Sequence, residues 1–132
     1  MTSVKDMVTT ARAGIENLTP AELATEVDEG DVLLVDVREP AETAGGIIPT
    51  AVLAPRGMLE FYADDRSEYH LAVFQPRWRV IVYSAGGSRS ALAAASLQRL
   101  GYHNVAHLDG GYRRWLAEGW PVLPPDDLVN RP

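Results

Sequence analysis

The most constraining feature of this chain is the stretch Val80-Ile81-Val82-Tyr83-Ser84-Ala85-Gly86-Gly87-Ser88-Arg89-Ser90, followed at once by Ala91 to Leu100. An apolar run rich in β-branched residues reads as a buried strand of a parallel sheet. It ends in a loop of six residues, and the loop opens a helix. Gly86 and Gly87 lack the Cβ atoms that would block positive φ angles or a close backbone approach. Ser88 or Ser90 is expected to cap the helix. Such a loop turns the amides of Ala85, Gly86, Gly87 and Ser88 inward, and the helix N-terminus adds partial positive charge. Arg89 contributes forked donors and a fixed cation. The expected product is an anion-binding cradle with Ser84, at the strand tip, facing into it.

The flanking segments supply the architecture. Val32 to Val37 is a second buried-strand run, Ala51 to Leu53 a third, and Val105 to Leu108 the last; Glu16 to Leu18 is at most a short edge strand. Thr19-Pro20-Ala21-Glu22 has the cap, the first-turn proline and the returning carboxylate of a helix start. The segment Met58 to Leu71 reads as helical pieces, and Tyr112 to Glu118 as a last helix. Ala91 to Leu100 is apolar nearly all round, so it should be largely buried, with Gly101 as its terminating glycine. Spaced apolar residues in 1–15 suit an amphipathic helix packed on its own domain. The domain proper is expected over 16–123, with a frayed tail over 124–132. Strands alternating with helices on short connections mean an α/β fold, with helices on both faces of a mainly parallel sheet. Ligands collect at the carboxyl ends of such strands. The Ser84 loop and Asp36-Val37-Arg38 both lie there.

Charge narrows the partners. A net charge of −6 over 132 residues argues against nucleic acid and anionic membrane. No run approaches the ~18 apolar residues of a membrane span, so a cytoplasmic location is the simplest expectation. The chain has no cysteine, which excludes disulfides and thiolate metal sites. No cofactor or metal is implied.

Four segments in order resemble the single-domain rhodanese family of sulfurtransferases: Leu33 to Pro40, Gly46 to Ala51, Ser84 to Ser90, and Val105 to Trp115. The resemblance implies a five-stranded parallel sheet flanked by helices, and a six-residue catalytic loop beginning with cysteine and ending with arginine. It also implies the reaction: a thiolate takes the outer sulfur of a thiosulfate-like anion as a persulfide, and a thiol or cyanide acceptor removes it. Arg89, the loop amides and Ser90 would bind the anion. Asp36 and Arg38 are expected to brace the loop, and Arg56 to reach its mouth or to lie in a solvated turn. The family pattern glycine-histidine-isoleucine-proline-glycine-alanine reads Gly46-Ile47-Ile48-Pro49-Thr50-Ala51 here, two changes expected to be benign.

The third departure is chemical: Ser84 stands where the family carries its nucleophilic cysteine. A serine hydroxyl is far less acidic than a thiol and needs an adjacent general base, which Ala85 to Ser90 do not contain. Oxygen in place of sulfur also cannot form the sulfur–sulfur bond on which turnover depends. The serine reads either as a replaced cysteine, which the intact thiolate-stabilising surroundings favour, or as natural loss leaving an anion- or protein-binding regulatory module. Three other readings compete: a bare glycine-rich turn, a serine hydrolase using Ser84, His107 and Asp109, and a phosphatase. The last has a similar cradle, one residue longer, that still needs cysteine. His107 is otherwise expected to be a partly buried structural residue, and Tyr112, Trp115 and Trp120 core aromatics.

Overall fold

The computed structural model describes residues 1–124. Five strands form one parallel sheet: β1 (Glu16–Leu18), β2 (Leu33–Asp36), β3 (Val52–Leu53), β4 (Val80–Tyr83) and β5 (Val105–Leu108), in the order β1-β5-β4-β2-β3. Five α-helices flank it among the described residues: α1 (Val4–Ala13) before β1, α2 (Pro20–Glu29), α3 (Leu59–Ala63) and α4 (Ser88–Arg99) between strands, and α5 (Gly111–Ala117) after β5. Single 3-10 helices occupy Pro40–Gly45 and Arg56–Met58.

Side-chain alternation along each strand divides the core in two. Val35, Val80, Val82 and Val105 meet α4 through Ala93, Ala94 and Leu97, with Phe74 and Leu59 beside them. Leu34, Ile81, Tyr83, Ala106 and Leu108 meet Leu23 of α2 and Trp115 of α5. Both faces of the sheet are therefore buried, which is why its strands read as continuous apolar runs. The chain leaves β2 toward β3 at one edge and leaves β4 toward β5 on the other side. The carboxyl ends of β2 and β4 thus flank the point where the winding reverses, the place where parallel sheets open a crevice.

Local signals were followed closely in α2. The Thr19 hydroxyl accepts from the Glu22 amide at 3.2 Å, and the Glu22 carboxylate accepts from the Thr19 amide at 2.8 Å. α1 is capped the same way by Ser3 and Asp6, and its Ala11 is buried. Gly101 takes the left-handed conformation just past α4, as expected.

Three expectations need correction. α4 starts at Ser88, three residues earlier than its apolar pattern suggests, and neither Ser88 nor Ser90 caps it: the capping position is Gly87, at φ +103°. The stretch 58–71 is helical only to Ala63 and then turns. Thr50 is not a benign replacement, because it sits at φ +74°, in the left-handed region that a β-branched residue adopts only under strain. Ile47, by contrast, is fully buried and exchanges backbone hydrogen bonds of 2.8 Å with Leu123. Of the tail expected to fray, 125–132 lie outside the described residues.

Candidate functional site

Ser84 follows Tyr83 at the carboxyl end of β4, and alternation puts its side chain on the α4 face of the sheet, in line with Val80 and Val82. The residue is buried. Its Oγ accepts two backbone hydrogen bonds, from the Gly87 amide at 3.2 Å and the Ser90 amide at 3.1 Å. Ser84 thus supplies the acceptor for the first turn of α4 that a capping serine would have supplied. Among the described residues no protein group accepts from the amides of Ala85, Gly86, Ser88 or Arg89. The six residues after Ser84 therefore carry two N–H groups aimed at its Oγ and four left for another acceptor.

The loop is held from behind by the start of α5. The Tyr112 amide donates to the Ser84 carbonyl at 2.8 Å and the Arg113 amide to the Ala85 carbonyl at 3.0 Å. Gly111 makes this approach possible, since at φ +66° a Cβ there would lie 2.6 Å from both of those carbonyl oxygens. The sequence motif Asp109-Gly110-Gly111 is thus more than a turn into a helix. It fixes the direction of the Ser84 loop.

Ser90 belongs to a buried polar chain. Its Oγ lies 2.9 Å from His107 Nδ1, and His107 Nε2 lies 2.7 Å from Asn17 Oδ1. Asn17 Nδ2 donates to the carbonyls of Arg12 and Ile15, which fixes the amide so that its oxygen faces the imidazole. His107 therefore carries its proton on Nε2 and presents Nδ1 to the Ser90 hydroxyl, which also has the Gly87 carbonyl as an acceptor at 3.1 Å. Burial pushes its pKa down to about 4, so the ring is neutral at pH 7. Both nitrogens are engaged, neither with Ser84, and Asp109 pairs with Arg12 and Arg114. The hydrolase triad considered from sequence is not assembled. His107 is structural, and more deeply buried than expected.

The arginines resolve as follows. Arg38 is 3% exposed and clasps the Asp36 carboxylate from Nε and Nη2 at 2.8–3.1 Å. It also donates to the carbonyls of Glu42 and Gly46 and lies 4.0 Å from the centre of the Tyr112 ring. Asp36 and Arg38 accordingly brace the 42–46 segment and make no hydrogen bond to residues 84–90. That segment carries Glu42, whose carboxylate receives both Arg89 nitrogens at 2.7 and 2.9 Å. Arg89 and the Glu39 amide hold the Glu42 carboxyl far below the usual range, at about 2. Arg56 donates to Glu60 at 2.9 Å and to Ser96 at 3.2 Å, so its guanidinium is drawn along α4. Trp115 packs tilted against Trp120 in the core beneath α5, and Tyr112 stacks on Tyr83.

Gly111 was legible only as a turn glycine within the Val105 to Trp115 motif, and Glu42, Asn17 and Arg113 escaped the sequence reading. Glu42 left a faint signal, a carboxylate three residues into a proline-led turn beside a strand end. The others carry no signal without the fold.

Comparison with known proteins fits this geometry to a family. Residues 19–118 match the family model of the Rhodanese-like domain. The chain belongs to that family. It is 37% identical over 100 residues to a "Sulfurtransferase" of Allochromatium vinosum, covering 75% of this chain and 85% of that one. It is 31% identical over 98 residues to the "Thiosulfate:glutathione sulfurtransferase" of Saccharomyces cerevisiae, covering 70% of each. Among solved structures, a protein of unknown function from Rhodopseudomonas palustris CGA009, described as a possible tyrosine phosphatase, superposes with a TM-score of 0.88 at 39% identity. That match covers 93% of this chain and 96% of the other. The rhodanese fold and the parallel five-stranded sheet inferred from four motifs are thus those of this chain.

Proposed function

We propose that this protein is a rhodanese-type sulfurtransferase scaffold that binds a small sulfur-containing anion of the thiosulfate kind, and that Ser84 stops the reaction at binding. The carrying observation is that Ser84 Oγ lies at the meeting point of the Gly87 and Ser90 amides, with four further loop amides that have no protein acceptor among the described residues. That arrangement stabilises negative charge on the atom at residue 84 and on a ligand above it. A neutral hydroxyl makes little use of it, whereas a thiolate would. The family membership and the relative named for thiosulfate and glutathione support the same donor and acceptor classes.

Ser84→Cys tests the reading. Its thiolate would attack the outer sulfur of thiosulfate, forming a sulfur–sulfur bond and releasing sulfite. Cyanide would then take the transferred sulfur as thiocyanate and return the thiolate. The parent protein should give no thiocyanate above background, and Ser84→Cys should turn over repeatedly. The second reading, a non-catalytic anion- or protein-binding module, draws on the Arg89–Glu42 pair, which occupies the loop arginine with an internal carboxylate. A well-folded Ser84→Cys protein that makes no thiocyanate would favour it.

A further inference from the structure

We infer that Arg113, rather than Arg89 alone, supplies the charge that selects an anionic ligand at the Ser84 loop; the inference rests on the anion-binding reading above. It follows from accounting for each cation near the loop. Arg89 is paired bidentately with Glu42, a carboxylate ionised at any pH above about 2. Arg38 is buried against Asp36, and Arg56 is paired with Glu60. Arg12 and Arg114 share Asp109, and Arg114 also meets Glu118. Every one of these charges is offset by a carboxylate in contact with it. Arg113 differs: among the described residues it has no ion-pair partner, and its side chain is exposed.

Its position is set by backbone and by the absence of a side chain at residue 86. The Arg113 amide donates to the Ala85 carbonyl at 3.0 Å, which anchors the residue against the loop. Its guanidinium then lies across Gly86, where a Cβ would come to 3.2 Å from Nη1. Gly86 therefore does a second job besides shaping the loop: it leaves room for the Arg113 guanidinium to lie against the loop backbone. A divalent oxyanion at the loop feels the unpaired Arg113 charge beside Gly86 without displacing another carboxylate, whereas engaging Arg89 requires parting it from Glu42. Forked N–H donors suit the oxygens of a sulfonate, sulfate or thiosulfate group. The ligand class selected is a small dianion, and uncharged sulfur donors gain nothing from this residue.

The test uses the intact protein and thiosulfate itself, titrated at low ionic strength while the Gly86 and Gly87 amide resonances are followed. The parent should show saturable shifts. Arg113→Gln should bind about three- to tenfold more weakly, the range for one exposed charge acting on a dianion. Its affinity should also depend less on salt. Arg113→Lys should recover part of the loss. Arg77→Gln removes an exposed cation at the opposite end of the sheet, beside Trp78 and Asn104, and should leave binding within twofold of the parent. Equal affinity in parent and Arg113→Gln overturns the role of Arg113 alone, as does an equal loss in Arg77→Gln. Absence of any loop shift in the parent overturns the anion-binding reading together with this inference.

Discussion

Thr50 shows what a single backbone angle costs. The residue is exposed, so its side chain gains little from packing, yet it is held at φ +74° between Pro49 and the buried Ala51. A β-branched residue there crowds its own carbonyl, at a cost of about 1–2 kcal/mol. Glycine, which the family pattern carries at this place, relieves the crowding but adds freedom to the unfolded chain. The net expectation for Thr50→Gly is a gain of roughly 1 kcal/mol in unfolding free energy. Urea denaturation measures it directly, and a Thr50→Gly protein less stable than the parent would contradict the assigned strain.

The chain Asn17–His107–Ser90 joins β1, β5 and α4, and it makes the junction sensitive to acid. Burial depresses the His107 pKa from 6.5 to about 4, so the folded protein holds a proton there less tightly than the unfolded chain does. Its contribution to stability is complete above pH 6.5. It declines as the pH falls from 6.5 toward 4, because the unfolded state takes up the proton first. Across that window the loss is of order 3 kcal/mol. Protonation at Nδ1 would also reverse the hydrogen bond to Ser90, whose hydroxyl would then donate to the Gly87 carbonyl. Urea midpoints between pH 7 and 4.5 should fall steeply in the parent and less so in His107→Gln. Equal slopes in the two proteins would show that the imidazole carries no such linkage.

At the scale of the whole molecule, what could be read from the sequence was what depends on neighbours along the chain. Val80 to Tyr83 and, apart from His107, Val105 to Leu108 stand out because strands covered on both faces favour near-continuous apolar side chains. The α2 start was legible because both halves of its reciprocal cap lie within four residues. The cap of α4 was misassigned for the opposite reason. Two serines stood at the right local spacing, but Ser84, reaching forward from the strand, already filled the place. The pairs that set the site's electrostatics are remote in sequence: Glu42 and Arg89 are 47 residues apart, and Asn17 and His107 are 90 apart. Only the order of strands brings them together. The reversal of winding between β2 and β4, where parallel sheets open a crevice, sets the 38–46 segment beside the Ser84 loop and brings Glu42 onto Arg89.

That crevice gives the account its most direct test, the acidity of a thiol placed at residue 84. Two amides converging there and the N-terminus of a twelve-residue helix should stabilise a thiolate against an ordinary cysteine pKa of ~8.5. Titrating Ser84→Cys by thiolate absorbance should give a pKa below about 7.5, within the range of activated cysteines. A value at or above ~8.5 would contradict the claim that this loop focuses positive potential on residue 84.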